Sequence, residues 1–85
     1  MEYIYSMHIQ KRMLEREIKK EQIDIILNHD VPSLIIPSKK DPEVDLILAK
    51  VEEKYLMIAI NRLTRTLITV RPMRKEEKLF FKESL

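Results

Sequence analysis

The residues best suited to chemistry lie near the amino end of the chain, where His8, Arg12 and Arg16 recur every four residues. On a helix each step of four residues turns the side chain by only about 40°, so the three side chains are predicted to lie along one face. A titratable imidazole beside two permanently charged guanidiniums suits work on a phosphodiester, with His8 transferring the proton and the arginines binding the phosphate. The alternative is an ordinary solvated helix face, in which Arg12 pairs with Glu15.

A fourth candidate is Arg71, at the end of the last predicted strand. Alternation along a strand predicts that Leu67, Thr69 and Arg71 share one face. An arginine at this strand end, placed beside the helical stripe, would complete an electropositive cleft. The alternative is an exposed strand end with no role in binding.

The charges are distributed unevenly along the chain. Residues 1–20 carry five Lys or Arg against three Glu, residues 21–59 carry four against eight acids, and residues 60–82 carry seven against two. If the two basic ends meet in space, they form one positive surface suited to a polyanion. Lys75, Lys78 and Lys82 have near-helical spacing and could follow a nucleic-acid backbone, although a solvated tail would look the same.

The composition excludes several kinds of site. The chain has no cysteine, which removes disulfides and thiolate metal sites, and its two histidines make a zinc site unexpected. It has no glycine, which excludes Gly-rich phosphate loops and restricts positive φ to Asn or Asp. We therefore expect no metal and no cofactor. The chain lacks both an apolar stretch of about 20 residues and a secretory signal pattern, so we expect a cytoplasmic protein without a membrane segment.

The periodicity of apolar residues predicts an α+β fold over a single domain, residues 1–85. Two N-terminal helices are expected to pack on one face of a four-stranded antiparallel sheet, because the connectors are short. The last segment, residues 73–85, is either a short final helix or a docked tail. The predicted helices cover residues 7–17 and 20–29, and the predicted strands cover residues 33–37, 43–51, 54–61 and 66–71.

The segment from His8 to Leu27 resembles the opening of a family of small bacterial and archaeal proteins of unknown function. The shared pattern is H-x-x-x-R-M-x-x-R-x-I, which here runs from His8 to Ile18, and Leu67–Val70 is similar to the family's final Thr-Val-containing strand. The family is grouped by fold with RelE/BrnT-like toxins. The resemblance implies a RelE/BrnT-like domain that is either an RNA-cleaving toxin that needs no metal or a relative that has kept the scaffold. It also implies a cognate antitoxin that covers the basic cleft.

These observations lead to three hypotheses. The first is a toxin-like endoribonuclease with His8 as the proton-transfer residue and Arg12, Arg16 and Arg71 as phosphate binders, assisted by RNA contacts from Lys75 and Lys78. The second is a non-enzymatic module on the same scaffold that binds nucleic acid or protein. The third is a structural protein, for instance a homodimer that pairs its exposed edge strand at residues 33–37.

Overall fold

The computed structural model describes residues 2–85, which form three helices and five strands. None of these helices is long and apolar enough to cross a membrane. The elements in chain order are β1 (Ile4–Tyr5), α1 (Met7–Glu15), α2 (Lys20–Leu27), β2 (Ser33–Pro37), β3 (Val44–Val51), β4 (Lys54–Asn61), β5 (Thr66–Pro72) and α3 (Lys75–Ser84).

The strands form one sheet in the order β1-β5-β4-β3-β2. Strands β2 to β5 are an antiparallel meander, and β2 lies at one edge as the sequence predicted. The predicted α+β class is therefore confirmed, but the sheet has one strand more than predicted, and of the two alternatives for the final segment the helix is the one observed. The two-residue strand β1 pairs in parallel with β5, which makes the sheet five-stranded and mixed. The final segment is a helix, α3, and it packs on the face opposite α1 and α2.

Two apolar layers hold the helices on the sheet. Helices α1 and α2 bury Ile9, Ile23 and Ile26 against one face, where all three side chains are almost fully inaccessible to solvent. On the other face α3 contributes Phe81, whose ring meets Tyr55 edge-on at 6.2 Å between centroids. Phe81 is the only buried residue of α3, so this one side chain supplies most of the apolar anchor of the helix.

Helix α1 is held against β5 by the residues that flank it, Ser6 before the helix and Arg16 after it, which both hydrogen-bond to carbonyl groups of β5. Ser6 is its N-cap: the Ser6 hydroxyl accepts the Ile9 N–H at 3.1 Å and donates to the Ile68 carbonyl at 2.9 Å. At the other end, the backbone after Arg16 turns away because Glu17 has a φ of 53°. The helix ends at Glu15, two residues before the predicted end at Glu17.

A β-bulge in β5 changes the faces predicted for this strand. Ile60 pairs with Leu67 but Ala59 pairs with Thr69, so Ile68 is the extra residue. Leu67 consequently points into the core beneath α1, whereas Arg71 lies opposite Met57 on the α3 face. The prediction that Leu67, Thr69 and Arg71 share one face is wrong, because it assumed an unbroken alternation.

The positive-φ positions also differ from expectation. Over residues 2–85 they fall on Glu17, His29, Glu52, Glu53 and Arg65, and none falls on Asn or Asp. The hairpin between β3 and β4 needs left-handed backbone at both turn residues, with φ of 48° and 71°. In a chain without glycine this conformation costs each L-residue about 1–2 kcal/mol. The packing of the two longest strands, β3 and β4, offsets that cost.

Candidate nucleic-acid interface

His8 is the second residue of α1, and its side chain is exposed to solvent. The next residue, Ile9, is fully buried, so the amphipathic pattern of α1 turns the imidazole outward. Within residues 2–85, no hydrogen bond or salt bridge engages the His8 ring. His8 is therefore accessible to a ligand, as a proton-transfer residue must be.

Arg12 lies one turn after His8 and is engaged within its own helix. Its Nη1 donates to Glu15 Oε1 at 2.7 Å, the pairing that the sequence offered as the alternative to phosphate binding. The hydrogen bond from Arg12 lowers the pKa of the Glu15 carboxyl below its ordinary value. A phosphate at Arg12 would have to compete with this carboxylate.

Among residues 2–85, Arg16 has no acidic partner, but its guanidinium binds a backbone carbonyl. Its Nη1 donates to the Val70 carbonyl at 2.6 Å, on the outer edge of β5 just beyond the two residues covered by β1. The guanidinium thus satisfies a strand-edge carbonyl that would otherwise face water. Because a guanidinium carries five N–H donors, Arg16 keeps donors for a phosphate after making this bond.

Arg71 does not join the other three residues. Its two terminal nitrogens bind both oxygens of Glu77 in α3, at 2.7 and 2.8 Å. The Arg71 hydrogen bonds hold the pKa of Glu77 below its ordinary value, and Glu77 in turn raises the pKa of Arg71. The prediction that Arg71 completes a cleft with His8, Arg12 and Arg16 is wrong, because the bulge and α3 place it in an ion pair on the other face of the sheet.

The three C-terminal lysines, Lys75, Lys78 and Lys82, all lie in α3. Two of them approach an aromatic ring: the ammonium of Lys78 lies 4.9 Å and that of Lys82 lies 5.2 Å from the Tyr55 ring centroid. Lys50 approaches the same ring at 5.3 Å. Three ammonium groups around one tyrosine ring concentrate positive charge at this place, which favours the binding of a polyanion.

Beside this ring lies a groove of about 270 Å³, which we call the basic groove. Its cationic side chains come from three parts of the chain: Arg16 follows α1, Lys54 begins β4, and Lys78 lies in α3. The basic N-terminal and C-terminal segments therefore meet here. The full lining is Arg16, Ile18, Glu53, Lys54, Tyr55, Leu56, Pro72, Met73 and Lys78.

The groove is poor in negative charge. The one carboxylate among the described residues that line it, Glu53, is 91% exposed and lies 3.7 Å from the ammonium of Lys50, which is outside the groove lining. Lys54 donates to the Glu17 carbonyl at 2.6 Å, which positions the ammonium without neutralising it. Across residues 2–85, the salt bridges do not include Arg16, Lys54 or Lys78, so three uncompensated cations line one concave surface.

Sequence reasoning did not include Lys50 or Lys54 among the candidate site residues. A signal was present: Glu52-Glu53 is a two-residue turn, which sets Lys50 directly opposite Tyr55 across the hairpin. The other tyrosines have different surroundings. The Arg65 guanidinium covers the ring of Tyr3 at 4.2 Å, and burial together with the charge of Asp24 raises the pKa of Tyr5 to about 12.

Comparison with known proteins gives no assignment for this site. No protein-family model, curated protein or solved structure matches the chain. In the described part of the chain, no three His, Asp or Glu side chains lie close enough together to hold a metal ion.

Proposed function

We propose that this protein binds RNA, and that single-stranded RNA lies in the basic groove. The observation that carries the proposal is the convergence of Arg16, Lys54 and Lys78, none of which forms a salt bridge with another described residue. Cations spaced along a groove bind successive phosphates, and an aromatic ring beside them can stack on an unpaired base. Tyr55 supplies that ring.

The salt dependence of binding tests this proposal quantitatively. Each phosphate contact on a single strand contributes about 0.7 to the slope of log K against log salt, so three contacts predict a slope near −2. If the salt concentration is raised from about 50 to about 200 mM, the wild-type affinity for RNA should fall about 20-fold. For Lys78→Gln the fall should be only about sevenfold, because one contact is lost.

The matched control is Lys39→Gln, which removes the same charge from the turn at the opposite end of β3. Fluorescence anisotropy with a labelled oligoribonucleotide measures all three proteins. The control should keep the wild-type slope. Binding that does not depend on salt, or an equal effect of the Lys39 and Lys78 substitutions, would contradict the assignment of the groove.

Cleavage of RNA is the second candidate function, and the exposed, unpartnered imidazole of His8 favours it. The geometry supports cleavage less well than binding. Along the axis of α1, His8 lies about 12 Å from Arg16 at a rise of 1.5 Å per residue. In the stripe of His8, Arg12 and Arg16, the arginine next to His8 is Arg12, and it is held by Glu15.

A cleavage assay with end-labelled RNA in the presence of a chelator separates the two functions. If His8 transfers the proton, His8→Ala abolishes cleavage and leaves the RNA affinity of the groove unchanged, whereas Lys11→Ala, on the same exposed helix surface, leaves both unchanged. A wild-type protein that binds RNA and never cuts it would remove the nuclease hypothesis.

The RelE/BrnT-like scaffold implied by the sequence resemblance extends the proposal to a toxin that is controlled by a cognate antitoxin. The basic groove is the surface that an acidic antitoxin segment would cover, because its cations are free to pair. Expression of the chain should arrest growth, and co-expression of the protein encoded beside it should relieve the arrest. Normal growth during expression of the folded chain alone would argue against a toxin.

A further inference from the structure

The hydrogen-bond phase of β2 follows from one bond just beyond the strand. The Ser38 N–H donates to the Val44 carbonyl at 2.9 Å, in the same register that pairs β2 with β3. Because bonded and non-bonded residues alternate along an antiparallel strand, Leu34 and Ile36 direct their backbone groups toward β3. The backbone groups of Ser33, Ile35 and Pro37 therefore point away from the sheet.

The outer side of β2 is an open edge. It offers the N–H and carbonyl groups of Ser33 and Ile35 and the carbonyl of Pro37, which has no N–H. The Ile35 side chain at its centre is 56% exposed. The other end of the sheet differs, since β1 pairs with β5 and the side chains of Ser6 and Arg16 bind the next edge carbonyls.

We propose that β2 pairs with β2 of a second copy of this chain, antiparallel, about a two-fold axis that passes beside Ile35. In this register each Ile35 N–H donates to the Ile35 carbonyl of the other copy, and each Ser33 N–H donates to the opposite Pro37 carbonyl. The missing N–H of Pro37 removes two further bonds, so four remain. The five-stranded sheets join into one ten-stranded sheet, and the two exposed Ile35 side chains cover each other.

The residues that flank β2 favour a second copy over an unrelated strand. In the two-fold register the segment before one β2 meets the segment after the other. Asp30 precedes β2, and Lys40 follows it at the same distance from Ile35. Both side chains are exposed, and within residues 2–85 neither is in a salt bridge. Both residues lie in bends just outside the strand, and the pairing places Asp30 of each copy at the same end of the new strand pair as Lys40 of the other, twice per dimer.

Leu34 and Ile36 complete the match on the α3 face of the sheet. Each Leu34 lies opposite Ile36 of the other copy in a non-bonded pair, where side chains approach most closely. Both residues are partly buried against the apolar layer that contains Leu48. The edge is thus self-complementary in hydrogen bonds, apolar contacts and charge.

Sedimentation equilibrium of the full chain over a range of concentrations tests the proposal. The wild type should be a monomer–dimer equilibrium, and Ile35→Lys should weaken dimerisation by about 100-fold, because it removes apolar contact and sets two ammonium groups together. The control Leu63→Lys alters a leucine that is 68% exposed in the turn before β5, and it should leave the equilibrium unchanged. A wild-type chain that stays monomeric at every concentration overturns the proposal.

Exchanging the charges of Asp30 and Lys40 tests the register of the β2–β2 pairing without changing Ile35. Asp30→Lys and Lys40→Asp should each weaken the dimer by about tenfold. The double variant should return to the wild-type dissociation constant, as should an equimolar mixture of the two single variants. Single variants that dimerise like the wild type, or a double variant as weak as the singles, overturn the two-fold register at Ile35.

Discussion

The double substitution Arg71→Gln, Glu77→Gln tests whether Arg71 stabilises the fold or contributes to RNA binding. The pair holds the start of α3 against β5: Glu77 binds both Arg71 nitrogens and also accepts the Arg74 N–H at 2.8 Å. Neither residue lines the basic groove. Because the double substitution leaves the net charge unchanged, we expect lower stability and an RNA affinity within about twofold of the wild type.

The size of the stability loss follows from the geometry of the pair. The pair makes two charge-assisted hydrogen bonds. Its side chains are 21% and 22% exposed, so its burial is intermediate between that of a surface ion pair and that of a buried one. Surface pairs contribute about 0–1 kcal/mol, and breaking a buried pair costs about 3–5 kcal/mol. We therefore expect Arg71→Gln alone to lower the free energy of unfolding by about 2 kcal/mol and the double variant by about 1.5 kcal/mol, since the double variant leaves no unpaired carboxylate.

Urea unfolding followed by circular dichroism gives these free energies, and their pH dependence adds a second test. In the folded state the Arg71 hydrogen bonds hold the pKa of Glu77 below its ordinary value of 4.5. The stabilisation is thus fully present above pH 4.5 and is lost as the pH falls through the lower, folded-state pKa. The difference between wild type and double variant should shrink on acidification. Equal stabilities at pH 7, a growing difference in acid, or a large loss of RNA affinity would refute the reasoning.

Three further substitutions test the elements that position the groove, each by urea unfolding. Ser6→Ala removes the N-cap of α1 and the bond to Ile68, so it should cost about 1–2 kcal/mol, and an unchanged stability would show that the cap is dispensable. Glu53→Gly relieves a φ of 71° and should add about 0.5–1 kcal/mol, whereas a loss would mean that the turn tolerates glutamate without strain. Phe81→Ala removes the buried anchor of α3 and should cost about 3 kcal/mol, and a cost below about 1 kcal/mol would contradict that role.

Much of the architecture could be predicted because the relevant signals are local. Ser6 before an apolar-periodic segment marks the start of α1, and Pro37 and the two-residue Glu52-Glu53 turn bound the strands of the meander. The observed bounds of β2 and β4 agree with the predicted ones. Strand β1 could not be predicted in this way, because its two residues gain regular structure only by pairing with Thr66 and Leu67, some sixty residues away.

The site was harder to predict because it depends on contacts between distant segments. The bulge at Ile68 has no glycine or other marker, yet it decides the face on which Arg71 lies. Glu77 is six residues from Arg71, a spacing that brings side chains together only once α3 folds back on the sheet. Arg16, which lacks an acid at helical spacing, proved to bind the Val70 carbonyl, a backbone partner that no sequence pattern displays.

The central claim, that RNA lies in the basic groove, is tested most directly by titrating the ¹⁵N-labelled protein with a single-stranded oligoribonucleotide and following amide chemical shifts. The account predicts that the largest shifts fall on Arg16, Lys54, Tyr55 and Lys78, with little change in the turn that holds Lys39. Shifts confined to the His8–Arg12 surface, or no shifts at concentrations of RNA that saturate the anisotropy signal, would contradict it.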